Sequence, residues 1–169
     1  MLATATTAGR PAVHDLFSLS HLGPFKEAGT LVGTSKVYTL DGRLETERAG
    51  VTRSAFMVAP SLDKRTIGNP KKEAVALLAR LSGYKGILSG YKGIKTEEPH
   101  EVTIGGLPAV ETWASAIDED DNVPVRLYQA LVECRDGGYF RLIGIATPRD
   151  VERLNEEFPK IAGSFALVP

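Results

Sequence analysis

Val123-Pro-Val-Arg-Leu-Tyr-Gln-Ala-Leu-Val-Glu-Cys-Arg-Asp-Gly-Gly-Tyr-Phe-Arg-Leu-Ile-Gly-Ile-Ala-Thr147 decides the fold of this 169-residue chain. Its centre, Arg135-Asp-Gly-Gly138, is a reversal in which Asp-Gly supplies the positive φ angles of a tight hairpin. The flanks therefore read as antiparallel strands, Val123–Cys134 and Tyr139–Thr147. One face of the first carries Val123, Val125, Leu127 and Leu131; the other carries Tyr128, Ala130, Val132 and Cys134. In the second, Ile143 and Ile145 oppose Phe140 and Leu142. A sheet with one wet face alternates apolar with polar residues, so strands apolar on both faces are expected to be central and covered on both sides.

Toward the N-terminus, Leu107–Ile117 is a third strand, entered from Glu101–Ile104 and Gly105-Gly106. It runs into Asp118-Glu-Asp-Asp-Asn122, residues that bond their own backbone in turns. Toward the C-terminus, Thr147 reads as a helix N-cap, with Pro148 at the first helical position and Asp150 three residues after the cap. Val151, Leu154, Phe158, Ile161, Ala162 and Phe165 then form one apolar stripe. Pro159 cannot donate to Asn155, which predicts a kink or a break into two short helices.

The earlier chain is less sharply written. Residues 1–30 are poorly specified, with one short strand or turn of helix between Arg10 and Thr30, and residues 31–169 read as a single α+β domain. Leu31–Leu40 is a strand ending at Asp41-Gly42, with its return in Arg43–Arg48 or, better, Thr52–Ala59. Asn69 caps a second helix that places Pro70 first and Ala74, Leu77, Leu78 and Leu81 at helical spacing until Gly83. Gly-Tyr-Lys-Gly-Ile then occurs twice, at Gly83 and Gly90, a period too short for a solenoid. A lengthened surface loop is the simpler reading. The sharper one is a loop presenting tyrosine and lysine to an anionic ligand.

Net charge is −1, yet residues 64–95 hold eight basic side chains against Glu73, and residues 96–169 hold six basic against fourteen acidic. Mutual neutralisation across the fold is the plainer explanation; a basic face for an anionic ligand or surface is the alternative. From this stretch Lys71, Lys72, Tyr84, Lys85, Tyr91, Lys92 and Lys95 are the candidate partner-binding residues. The lone Cys134 excludes an intrachain disulfide and a cysteine-built zinc site. No apolar run is long enough for a membrane span. The start, Met1-Leu-Ala-Thr-Ala-Thr-Thr-Ala-Gly-Arg10, holds no intact signal peptide and is compatible with the tail of a mature exported protein.

Catalytic chemistry is hard to find. His14, His21 and His100 have no ligand partners at helical or strand spacing. Asp118, Asp120 and Asn122 match the opening of a calcium loop, but Val123 replaces the required glycine and Gln129 the closing glutamate. No nucleophile elbow, phosphate loop or dinucleotide fingerprint is present, and Ser164 has no histidine that spacing nominates as its base. Trp113 reads as a core or half-exposed sheet aromatic.

The succession "VTIGGLPAVETWASA", "VRLYQALVECRDGGYFRLIGIA" and "FPKIAGSF" resembles the PsbP-like superfamily, over roughly residues 50–165. That group takes in the photosystem PsbP proteins, Mog-type Ran-binding proteins, bacterial exported lipoproteins and the Eag chaperones of type VI secretion effectors. The resemblance implies an α+β fold, a central antiparallel sheet with helices packed on both faces in an α/β/α sandwich. It also implies non-catalytic binding or assembly work. The matching positions, among them Gly106, Gly138, Phe158 and Phe165, determine fold and carry no site. The expectation is a non-enzymatic accessory protein, periplasmic or extracellular, that binds a protein partner without a cofactor or nucleic acid. The alternatives are a small-ligand or lipid carrier with an enclosed apolar cavity, and a hydrolase with no recognisable motif.

Overall fold

The computed structural model describes residues 17–31, 35–44, 53–61, 68–83, 90–135 and 137–168. In these the chain forms β1 (Phe17–Leu19), β2 (Lys26–Leu31), β3 (Ser35–Thr39), β4 (Ala55–Pro60), α1 (Pro70–Ala79), β5 (Tyr91–Thr96) and β6 (His100–Ile104). There follow β7 (Leu107–Asp118), β8 (Pro124–Glu133), β9 (Tyr139–Ala146), α2 (Val151–Gly163) and β10 (Phe165–Leu167). The antiparallel sheet runs β2-β3-β4-β9-β8-β7-β5, with β6 on the same side of β7 as β5. The expected central strands are central: β8 has β7 on one side and β9 on the other, and β9 adjoins β4.

The two apolar faces of β8 go to different clusters. Tyr128, Ala130 and Val132 pack with Leu154, Phe158, Ile161 and Ala162 of α2. Leu127 packs with Leu78 of α1, and Leu131 with Ala74 and Leu77. Successive strand residues alternate in direction, so α2 and α1 meet different sets of β8 side chains. Phe158 sits on Gly144, where an added Cβ would come within 2.8 Å of its ring carbons.

Several expectations need correction. Asp150, not Thr147, is the N-cap of α2, and its side chain caps no helical N–H. Its carboxylate instead accepts the Ser54 hydroxyl at 2.7 Å and the Thr147 hydroxyl at 3.2 Å, tying the helix start to the β4 side of the sheet. Pro159 does not divide α2, which is one helix through Gly163; burial of Phe158, Ile161 and Ala162 on either side outweighs one missing hydrogen bond. The second Gly-Tyr-Lys-Gly-Ile copy is not loop but β5, paired with β7. The first copy's Tyr84 and Lys85 lie outside the described residues. Between Arg10 and Thr30 the described part holds two strands, β1 pairing with β10 and β2 with β3. The Leu31–Leu40 strand is two, β2 ending at Leu31 and β3 starting at Ser35. Asp41-Gly42 is a turn, and the return strand is the better of the two expected stretches, not Arg43–Arg48: β3 pairs with β4 from Thr39↔Ala55 onward. The Asn69 cap is as read, its side chain accepting from the Lys72 N–H at 3.2 Å.

Three tyrosines are locked in. Burial, reinforced by Glu27, pushes Tyr38 up to about 12. Burial raises Tyr91, with Asp118 adding to it, and raises Tyr128, whose hydroxyl donates to Glu111 at 2.8 Å. A raised folded value means stability that is fully present below the unfolded tyrosine value of about 10 and is lost as pH climbs through the folded value. In an ultraviolet titration of tyrosinate, these three of the five tyrosines should resist ionisation until the protein unfolds in alkali. A native titration curve matching that in urea would contradict this.

Candidate functional site

The five candidate binding residues that are described, Lys71, Lys72, Tyr91, Lys92 and Lys95, do not converge. Lys71 and Lys72 are exposed in the first turn of α1. Lys92 and Lys95 are on the opposite face of the sheet, through a local device in β5. Lys92 pairs with Ile117 and Lys95 with Ser115, three steps along one strand against two along the other. The extra residue is a bulge in which Gly93 takes φ +61°, a left-handed conformation suited to glycine. Without it, residues three apart would point to opposite faces; with it, both lysines share a face with Ser115 and Ile117. Tyr91 points the other way and is 2% exposed in the core beneath α1, so it cannot stack on a surface ligand.

On the lysine face, α2 covers the β8–β9 side and leaves the β7–β5 side open: Ser115, Ile117, Lys92 and Lys95 are all exposed. At the border stands Trp113, half-buried, edge-on to Tyr128 at 4.8 Å and packed against the α2 cluster. The Arg126 guanidinium lies over its ring, 4.9 Å from the centroid, and is held from the other side by Glu97. Sequence reading left Arg126 unmarked. Only the register shows that it is opposite Ser115, diagonal to Trp113 and within reach of its ring.

Among the described residues, direct pairing does not supply the expected neutralisation of residues 64–95 by residues 96–169; Lys64, Arg65 and Lys85 lie outside them. Among the described residues, none of Lys71, Lys72, Arg80, Lys92 or Lys95 forms an ion pair; the pairs present are His21–Glu157, Lys36–Glu27, Arg53–Asp41 and Arg126–Glu97.

Ser164, His21 and Glu157 do come together, in a way that argues for a clip. His21 Nε2 meets Glu157 Oε2 at 2.9 Å, but the Ser164 hydroxyl accepts from the His21 backbone N–H at 3.1 Å and faces the carbonyls of Ile161 and His21 at 2.7 and 3.2 Å. A nucleophile needs its hydrogen on the imidazole; here main-chain oxygens take it, and the ring turns to Glu157. The arrangement ties the turn after β1 to the end of α2. Elsewhere, an open groove of about 510 Å³ lies beside the β6–β7 hairpin and Pro70, lined by Glu101, Thr103, Pro108, Val110 and Glu133 among others. It is not the enclosed Leu, Val and Phe cavity of a carrier. Among the described residues no His/Cys/Asp/Glu group is arranged to hold a metal, and no helix is long and apolar enough to cross a membrane.

No protein-family profile matches this sequence, and no curated protein matches it. Solved structures do share its fold. Cyanobacterial PsbP (CyanoP) from Synechocystis matches with a TM-score of 0.56 and 12% identity, covering 98% of each chain. The Saccharomyces cerevisiae Ran-binding protein Mog1p matches at 0.53 and 15%, over 90% of each. LpqN, involved in cell envelope biogenesis of Mycobacterium tuberculosis, matches at 0.50 and 12%, over 90% of this chain and 83% of its own. At such identities the likeness is one of fold alone: this chain has an α+β, mostly antiparallel fold similar to those of PsbP (CyanoP) and Mog1p.

Proposed function

We propose that this chain, one domain of PsbP/Mog1-like fold with its sheet between two helices, is a non-enzymatic binding or accessory protein. It engages a protein partner through the open side of the sheet face around Trp113. The observation that carries this reading is the Arg126 guanidinium stacked on a half-exposed Trp113, at the border of the β7–β5 side that α2 leaves open. Tryptophan and arginine are the residues most enriched where interfaces concentrate their binding energy. Binding work also suits a chain whose best hydroxyl is consumed in a structural clip. Mog1p binds Ran, and LpqN serves envelope biogenesis; the second supports a periplasmic or extracellular setting.

An anionic small ligand fits the face less well. Lys92, Lys95 and Arg126 are offset by Glu97 and by Glu119, Asp120 and Asp121 at the end of β7, three charges against four. The field there has two poles instead of one sign.

A photo-crosslinking residue in place of Ser115 should give partner adducts, and one in place of Val75, exposed on α1, should not. Arg126→Ala should weaken binding about tenfold or more, the loss that marks a central interface residue. Adducts from position 75 and none from 115, or binding indifferent to Arg126→Ala, would overturn the proposal.

A further inference from the structure

The turn between β6 and β7 fixes which way the main chain of β6 faces. Gly105 and Gly106, at φ +58° and +77°, make a two-residue hairpin turn that closes on a hydrogen-bonded pair, Ile104↔Leu107. Antiparallel pairs alternate, so Val102↔Ala109 and His100↔Glu111 are bonded too, while Glu101↔Val110 and Thr103↔Pro108 are not. Pro108, with no N–H to give, falls on an unbonded pair as this requires. The N–H and C=O groups of Glu101 and Thr103 therefore point to the outer edge, where no strand pairs with β6 among the described residues.

The side chains of the same two residues point into the open groove. Glu101 is opposite Val110, which packs with Ala74 and Leu77, so Glu101 and Thr103 stand on the α1 face. Pro108 and Glu133, two residues from Val110 and Leu131, share that face, and with Pro70 they line the groove. Its charged lining is all negative, Glu101 and Glu133; Lys71 and Lys72 follow Pro70 but line no part of it. Among the described residues neither carboxylate is in an ion pair, and Glu133 Oε1 is buried without a hydrogen-bond partner.

We infer that the outer edge of β6 takes up an extended, arginine- or lysine-bearing segment of another protein as an added antiparallel strand, its basic side chains lying over this groove. In such an addition, each residue opposite Glu101 or Thr103 gives its N–H and C=O to β6 and its side chain to the α1 face. A basic residue there meets exposed Glu101, with the Glu133 carboxylate farther in. A second copy of β6 is a poor occupant, since it brings its own Glu101 to the same acidic groove. The surface is also separate from the open side around Trp113, which belongs to the α2 face.

Fluorescence anisotropy of the full chain with a short labelled peptide alternating arginine and valine tests this. The peptide should bind saturably, and the same peptide with glutamate for arginine should not. Methylating the arginine main-chain nitrogens should abolish binding, because those N–H groups face β6; methylating the valine nitrogens should leave it. Thr103→Pro removes an outward N–H at an edge position where proline is tolerated, so it should keep the wild-type melting curve and lose the peptide. Glu101→Lys, an exposed substitution that leaves the backbone alone, should weaken binding about tenfold or more. No binding of the arginine peptide up to about 1 mM, equal binding of the two methylated peptides, or indifference to Glu101→Lys would each overturn the inference. Adducts from position 115 report on the opposite face, so the reading of the open side stands or falls separately.

Discussion

Phe158→Ala is expected to lower the unfolding free energy by about 3–5 kcal/mol, read as a shift in the urea midpoint. The ring is fully buried, with Phe25, Phe56, Tyr128 and Trp113 around it at centroid distances of 6.1, 5.9, 5.8 and 6.3 Å. Removing it leaves a cavity bounded by rings on several elements, which cannot all move inward together. Against a total of about 5–15 kcal/mol for a domain, this is a large share. With roughly 2–4 °C per kcal/mol at this size, the melting temperature should fall by on the order of 10 °C. Gly144→Ala strains the same contact from below, its new methyl pressing on the ring at 2.8 Å, at a cost of about 1–3 kcal/mol. In the double variant the methyl partly fills the cavity, so the two losses should sum to more than the loss measured together. A Phe158→Ala loss below about 1 kcal/mol would mean that α2 is not seated on this ring.

The second large effect belongs to the α1 face. Gln129, fully buried in β8, donates to the Ala74 carbonyl at 2.9 Å and accepts from Arg141 Nε at 2.6 Å; the Arg141 guanidinium also donates to the Leu77 carbonyl at 2.8 Å. The sheet thus holds α1 by its main-chain oxygens, with a cation near the negative end of the helix. Arg141→Leu removes two charge-assisted bonds and strands the Gln129 oxygen in the core, costing about 3 kcal/mol or more. Gln129→Leu alone leaves the guanidinium short of an acceptor. Gln129→Leu/Arg141→Leu removes both partners, and an apolar pair of similar shape restores much of the loss. The double-mutant cycle should show coupling of about 0.5–3 kcal/mol. Strict additivity would show that the two side chains hold α1 independently.

How much could be read in advance varied with the range over which each signal acts. The β8–β9 hairpin and the stripe of α2 are written in local periodicity and turn chemistry; the hairpin forms as read, and the stripe does too except that Phe165 belongs to β10. Pairing between distant strands is not written locally. Nothing in Ala55–Pro60 names β9 as its neighbour, and nothing in Tyr91–Thr96 announces a strand, since two glycine-rich copies look like loop until β7 supplies hydrogen bonds. The Asp150 carboxylate left its expected capping role for the same reason: Ser54 is far away in sequence. The candidate site suffered most. A charge run says which residues are basic, but a one-residue bulge decides which face they occupy, and Lys71 and Lys92 came from one run to opposite sides. Arg126 on Trp113 required the register itself.

The strand order has a consequence for synthesis. β4 hydrogen-bonds with β9, Ala55 opposite Ile145, and β1 waits for β10, Phe17 opposite Leu167. A ribosome therefore releases Phe56-Met57-Val58 long before the strand that covers its free side has been translated. Closing so wide a sequence separation is slow, and through that interval the nascent N-terminal half keeps an unpaired, apolar strand edge, the kind of surface on which folding intermediates aggregate.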